Sequence, residues 1–399
     1  MTVSPNPLVQ GKRLGQSFWL DSIRRGHILS GDLKRLIEED GISGETSNPA
    51  IFEKAIGGTA DYAEAISQLT ARSQGALDIY ETLAVEDVRM AADAFMPVYE
   101  ETEGRDGFIS LEVSPHLAYD TAGTVTEALR LFQRVGRPNV MIKIPGTRQG
   151  LPAIEECLYE GLNVNITLLF GVQTYEAVAW TYLRALEHRA AEGKLIDRIA
   201  SVASFFVSRI DTLVDALLEA KARASADPAA SAAVEGLRGK VAIANAKRAY
   251  GRFRQICADS RFAALEAKGA RVQRPLWAST STKDPRYRDV LYVESLIGPD
   301  TVNTLPLETI DAFRDHGRAR PSLEEDLDGA EKTLGELAEA GISLEAVTEQ
   351  LLEEGLRKFA EPFDKLLGSI ETQRRPSQGR AGAEAAADSA SRIAAVPGR

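Results

Sequence analysis

The chain has 399 residues, 44% of them hydrophobic and 26% charged, the composition of a globular protein with room for one large domain or two ordinary ones. Its net charge of -11 disfavours nonspecific binding to nucleic acid or to an anionic lipid surface, although a few local cations could still hold a small anion. Two cysteines, Cys157 and Cys257, make neither a disulfide framework nor a metal cluster. No run approaches the roughly 18 apolar residues of a membrane span, and the first residues lack a signal-peptide core. A soluble cytoplasmic protein is expected.

Short strand-like runs recur along the chain. In order they are Ser17–Ile23, Gly44–Phe52, Gly107–Val113, Asn139–Ile144, Leu162–Leu168, Ile199–Val207, Pro275–Thr280 and Thr301–Leu305. Helical stretches separate them. Gly31–Asp40 carries Leu33, Leu36 and Ile37 on one face, and Thr121–Val135 and Phe170–Ala191 behave similarly. Strands alternating with helices imply a parallel sheet covered on both faces. Eight such units fit an α/β (β/α)₈ TIM barrel better than an open sheet. Residues 53–105 read as a helical insertion after the second strand, and Gly317–Ile370 as a charged helical extension. One barrel domain is expected over residues 1–370, with a disordered tail over 371–399, which lacks apolar residues to pack.

In such barrels reactive groups stand at the C-terminal ends of strands. The polar residues there are Asp21, Asn48, Glu112, Lys143, Asn165 with Thr167, Ser204, and Ser279 with Ser281. A polar group inside an apolar strand is costly unless paired, so packing alone explains seven such strands poorly. Lys143, in VMIKIPG, is the sharpest. Burial disfavours an ammonium and would present a neutral amine able to attack a ketone. The competing reading is a buried ion pair with Glu112. Asp21 is either an acid/base group or a helix N-cap, and Asn48, before Pro49, is a ligand contact or turn chemistry. Arg209 could hold a phosphate or pair with Asp211. Lys283 ends a hydroxyl-rich run that could bind an anion at a helix start or simply cap that helix.

Absences narrow the field. His27, His116, His188 and His316 show no metal-ligand spacing. No dinucleotide or P-loop glycine motif occurs.

The segments SFWLDSI, TSNPAIF, FISLEVSP, MIKIPGT, LNVNITLLF, SFFVSRID, LWASTSTKDP and LIGPDTVNTLP, in this order, resemble the transaldolases, in particular a longer bacterial branch. The resemblance covers about residues 15–370 and implies an enzyme of the pentose phosphate pathway. Such an enzyme moves a dihydroxyacetone unit from sedoheptulose 7-phosphate or fructose 6-phosphate to glyceraldehyde 3-phosphate or erythrose 4-phosphate. It implies no metal or organic cofactor, sugar phosphates as the only partners, and a monomer or homodimer. Residue by residue, Lys143 matches the Schiff-base lysine and Asp21 the carboxylate that takes the C4 hydroxyl proton. Glu112 and Thr167 match the holders of a catalytic water. Asn48, Asn165 and Ser204 match contacts to the dihydroxyacetone fragment, and Arg209 matches the main phosphate-binding arginine. The shorter branch has a second phosphate arginine where this chain reads STSTK, so Ser279 and Lys283 take that place. Phe206 stands where related small aldolases carry a tyrosine, which favours transfer over simple cleavage.

Overall fold

The computed structural model describes residues 6–72 and 74–394, with side chains through residue 374. Eight parallel strands close on themselves in chain order. They are β1 (Gln16–Asp21), β2 (Gly44–Thr46), β3 (Phe108–Glu112), β4 (Val140–Pro145), β5 (Asn163–Leu169), β6 (Ser201–Phe206), β7 (Arg274–Ala278) and β8 (Thr301–Leu305). Closure runs from Gln16↔Thr301 to Leu20↔Leu305 between β1 and β8. β3 to β8 are buried along their whole length. Each is covered by helices outside and by inward side chains inside, so even their polar residues, such as Asn163 and Asn165 of β5, are buried.

Local chemistry sets where the elements stop. The helix Thr121–Val135 begins at Asp120, whose carboxylate accepts the Gly123 N–H at 3.0 Å, and ends at Gly136 in the left-handed region. β2 is shorter than the sequence implies, because Asn48 ends the extended segment. Its Oδ1 accepts the Ile51 N–H at 3.0 Å and opens the helix Pro49–Phe52. Proline suits the first helical turn, where its missing N–H costs nothing.

The expected insertion is helical. A π-helical turn Glu53–Gly57 and the helix Ala63–Ala71 lead to the long helix Ala76–Glu101. This long helix is bound to the barrel. Arg130 and Arg134 both pair with its Glu81, and Arg25 donates to its Asp87 at 2.7 Å. Gly107 then turns the chain into β3 with φ +83°, where a Cβ would lie 2.5 Å from the Tyr99 nitrogen. Past β8, the extension forms Leu327–Glu339 and a final helix, Leu344–Ala394. That helix runs on past residue 371, where the composition predicted a disordered tail. Side chains from 375 onward and residues 395–399 lie outside the described residues, and the expectation for them lies there too. One apolar cluster is continuous from the barrel through the insertion helix to Phe359, Phe363 and Leu366 of the final helix. No helix among the described residues is long and apolar enough to cross a membrane.

The N-terminal end of the barrel is tied by one buried carboxylate. Asp106 accepts from Trp19 Nε1 at 2.7 Å, Ser43 Oγ at 2.9 Å and Ser17 Oγ, and pairs with Arg274 at 3.5 Å. Removing one partner of such a group strands the other charge. Asp106→Ala is expected to cost about 3–5 kcal/mol, read as a lowered urea midpoint. A loss below about 1 kcal/mol would show that the network carries no structural weight.

Candidate active site

Strand register brings the polar residues together at the opposite, C-terminal end. Glu112 lies beside Lys143 in the β3–β4 pair, and Lys143 beside Asn165 in the β4–β5 pair. Lys143 is 5% exposed. Its Nζ donates to the Ser47 carbonyl at 2.9 Å and stands 3.4 Å from Glu112 Oε2. The buried pair that competed with a reactive amine is therefore present, and its attraction does not offset the burial of Glu112. Burial pushes the Glu112 carboxyl up to about 7, with Lys143 opposing the shift. Neither Glu112 oxygen has a hydrogen-bond partner. Near neutrality the Glu112 carboxyl thus sits where it can give up or take a proton. Asn165 is fully buried, donating to Ser110 Oγ at 2.9 Å and accepting from Ser204 Oγ at 2.7 Å. Both Asn165 bonds fix the orientation of Ser204.

Asp21 caps no helix. The next helix starts at Arg25, with Arg24 at its N-cap and no side-chain cap bond. Asp21 Oδ1 instead accepts from Thr46 Oγ1 at 2.8 Å, and Thr46 Oγ1 is 2.6 Å from Thr304 Oγ1. Since the Thr46 hydrogen is committed to Asp21, Thr304 is the donor in that second contact. Burial raises the Asp21 pKa above its ordinary 3.8, opposed by Lys143 and by the Thr46 hydrogen bond. A carboxyl adjusted in this way can take and return a proton.

A cavity of about 320 Å³ joins these groups, lined by Asp21, Asn48, Lys143, Thr167, Ser204, Phe206, Arg209, Ser279 and Lys283 among others. Of the residues singled out from the sequence, Glu112 and Asn165 lie behind this lining. Glu112 instead borders a second cavity of about 300 Å³, beneath the insertion helix. Thr167 Oγ1 is buried without a partner. It precedes Leu168, whose φ of +61° coincides with a register shift in β5, a strain of the kind found where a side chain must be aimed. Asn48 has its oxygen in the cap, so only its amide nitrogen is open to a ligand.

The far end of the cavity is cationic. Arg209 stacks on Phe206, 5.2 Å from guanidinium to ring centre, and its buried Nη1 has no partner. It does not pair with Asp211. Residues two apart on a helix point different ways, and Asp211 instead accepts from Ala242 N at 2.7 Å and Tyr292 Oη at 2.9 Å. Burial lowers the Arg209 pKa, so an anion would relieve a real cost. Lys283 Nζ donates to Ser281 Oγ at 2.8 Å. The expected helix start there is absent, as the next helix is Leu291–Ser295. Ser279, at φ +56°, shares a 3.0 Å hydroxyl contact with Ser208.

The sequence reading missed Thr46, Thr304, Lys54, Glu308, Lys358 and Phe359, all of which line the cavity. A larger cavity, about 510 Å³, opens at the other end of the barrel beside Arg105 and Arg274. It touches none of the candidate side chains, and the C-terminal end is where barrel chemistry occurs. Among the described residues no group of three or more His, Cys, Asp or Glu side chains could hold a metal ion.

Residues 18–370 match the family described as transaldolase/fructose-6-phosphate aldolase. The chain belongs to the transaldolase family. It is 51% identical over 368 residues to a transaldolase of Trichodesmium erythraeum, covering 92% of this chain and 97% of that protein. It is also 51% identical over 372 residues to transaldolase 2 of Nostoc punctiforme, covering 92% and 98%. A transaldolase of Thiobacillus denitrificans is 45% identical over 358 residues, covering 90% and 98%. The family is one of transferases, and this member is a closed eight-stranded barrel with most of the polar strand-end residues lining one cavity.

The Glu112 carboxyl is expected to be protonated below pH 7 and ionised above it, with a midpoint near 7. The protonated-carboxyl infrared band, compared with that of Glu112→Gln, measures this directly. A midpoint near the ordinary 4.5 would contradict the effect of burial.

Proposed function

We propose that this protein transfers a dihydroxyacetone unit between sugar phosphates through a Schiff base on Lys143. The observation that carries the reading is the placement of one buried amine between a carboxyl that titrates near 7, Glu112, and a second carboxyl, Asp21, in the cavity. The donor is a ketose phosphate, fructose 6-phosphate or sedoheptulose 7-phosphate. The acceptor is an aldose phosphate, glyceraldehyde 3-phosphate or erythrose 4-phosphate.

The neutral Lys143 amine attacks C2, and one of its protons passes to the carbonyl oxygen to give a carbinolamine. Glu112 delivers a second proton to that oxygen. Water leaves, the nitrogen keeps the positive charge as an iminium, and Glu112 becomes a carboxylate. Asp21 then takes the C4 hydroxyl proton. The C4 oxygen forms a carbonyl, and the C3–C4 electrons flow into the iminium. The result is a neutral enamine, held covalently while the aldose phosphate departs. The enamine carbon attacks the incoming aldehyde, and Asp21 returns its proton. Water positioned by Glu112 and Thr167, whose side-chain oxygens lack a hydrogen-bond partner in the protein, hydrolyses the imine. The protonated imine is the electron sink, so the chain's own residues suffice.

The phosphate lies at the cationic end, on Arg209, with Ser279 and Lys283 beside it. Binding there, away from the bond being broken, orients the sugar for the chemistry. Ser204 and the Asn48 amide hold hydroxyls of the retained three-carbon fragment, with Asn165 supporting Ser204. Phe206 offers no hydroxyl to protonate the enamine, which favours transfer over release of free dihydroxyacetone. Substrates of this kind are soluble metabolites, in keeping with a cytoplasmic enzyme.

Borohydride reduction in the presence of fructose 6-phosphate is expected to leave a stable adduct on Lys143, located by peptide mass spectrometry. Lys143→Ala should give no adduct, and a reducible adduct in that variant would overturn the assignment. Asp21→Ala should still form the adduct while cleavage slows by about 10²–10⁴. Loss of both steps together would remove Asp21 from this role. Arg209→Gln is expected to lower kcat/KM by about 10- to 150-fold, the value of a charge-assisted contact, with the adduct site unchanged. Free dihydroxyacetone released at the transfer rate without acceptor would identify an aldolase instead.

A further inference from the structure

The reacting nitrogen has a neighbour from outside the barrel. Phe359 of the final helix is 4% exposed, lines the substrate cavity, and holds its ring centre 5.6 Å from Lys143 Nζ. The contact is built into how the helix seats. A Cβ at Gly355, one turn earlier, would come within 2.9 Å of the Leu168 side chain. The helix therefore rests directly on the end of β5, beside Thr167. Glu354 and Lys358, paired at 3.1 Å, precede Phe359 on the same helix, and Lys358 also lines the cavity. This stretch of the helix is a wall of the site.

An aromatic face carries negative potential and attracts a cation within about 6 Å, while it gains little from a neutral amine. The proposed cycle changes the charge on this nitrogen repeatedly. It is neutral as the attacking amine, positive as the iminium, neutral in the enamine and positive again before hydrolysis. A group that favours only the positive stages assists both entry to and exit from the covalent intermediate. An aliphatic side chain of similar size would exclude water equally well but would not distinguish these stages.

We infer that Phe359 acts as an electrostatic partner of the Schiff-base nitrogen, making the final helix a working part of the site as well as a cover. This rests on the Schiff-base reading of Lys143. The interaction is expected to favour the iminium by about 2- to 30-fold.

The test uses the full chain with Phe359 replaced by 4-fluoro-, 3,5-difluoro- and 3,4,5-trifluorophenylalanine. Fluorine drains the ring face of negative potential and leaves its shape nearly unchanged. The rate of borohydride trapping with fructose 6-phosphate is expected to fall stepwise with each fluorine. Phe359→Leu should fall at least as far as the trifluoro variant. Thermal unfolding of each variant reports whether the fold is kept. A flat fluorination series with an adduct on Lys143 overturns the role of Phe359 and leaves the Schiff base standing, whether or not Phe359→Leu folds. An adduct on another lysine overturns the Schiff-base reading itself.

Discussion

An amine and a carboxyl held 3.4 Å apart inside a closed barrel form the interaction on which the rest of the site depends. Taking two charges out of water costs more than their attraction returns unless further hydrogen bonds satisfy them. Here they are not satisfied. Lys143 has one carbonyl acceptor, and the Glu112 oxygens have no hydrogen-bond donor. The consequence is a carboxyl that holds its proton to about pH 7, so its charged and neutral forms lie close in free energy near neutrality. A pair made for stability alone would be bonded more completely.

Keeping that pair dry is a task for parts of the chain outside the barrel. β3 and β4 set the pair by register, but the strands end there, and a bare barrel mouth would let solvent in. The insertion helix packs behind Glu112, with Tyr80 and Ala84 lining the cavity that Glu112 borders. The final helix covers Lys143 through Phe359. The barrel divides its tasks accordingly. Its N-terminal end spends polar groups on cohesion, with Asp106 tying Ser17, Trp19, Ser43 and Arg274 together. Its C-terminal end leaves polar groups open, as at Thr167 and Arg209.

Much of this was legible in the residue order. Most strands announced themselves because a sheet buried on both faces favours apolar, β-branched residues, and a lysine or glutamate inside such a run, as in β4 and β3, is conspicuous. Thr46 and Thr304 were invisible for the opposite reason. Threonine suits a strand, so nothing marks the pair as a hydrogen-bond relay to Asp21. Lys54, Lys358 and Phe359 were hidden by helical context. A lysine on an amphipathic helix reads as solvent-facing and a phenylalanine as core. Asp106 was passed over as part of a connection, though it is the centre of a buried network.

The sequence by itself determined the barrel, the insertion and extension, the family, and the strand-end residues that form the floor of the site. Those follow from periodicity and from motifs contained within single strands. Only the tertiary structure decided between paired readings. It showed that Asp21 caps nothing, that Asn48 does cap a helix, and that Arg209 leaves Asp211 to other partners. It also showed Lys143 paired with Glu112 and lining the cavity. Apart from the Asn48 cap, which is local, these choices depend on what arrives from another element: a threonine from β2, a tyrosine after β7, an aromatic ring more than two hundred residues further along. Contacts of that kind are set by how the barrel closes and where the outer helices dock, and no local run of residues encodes them.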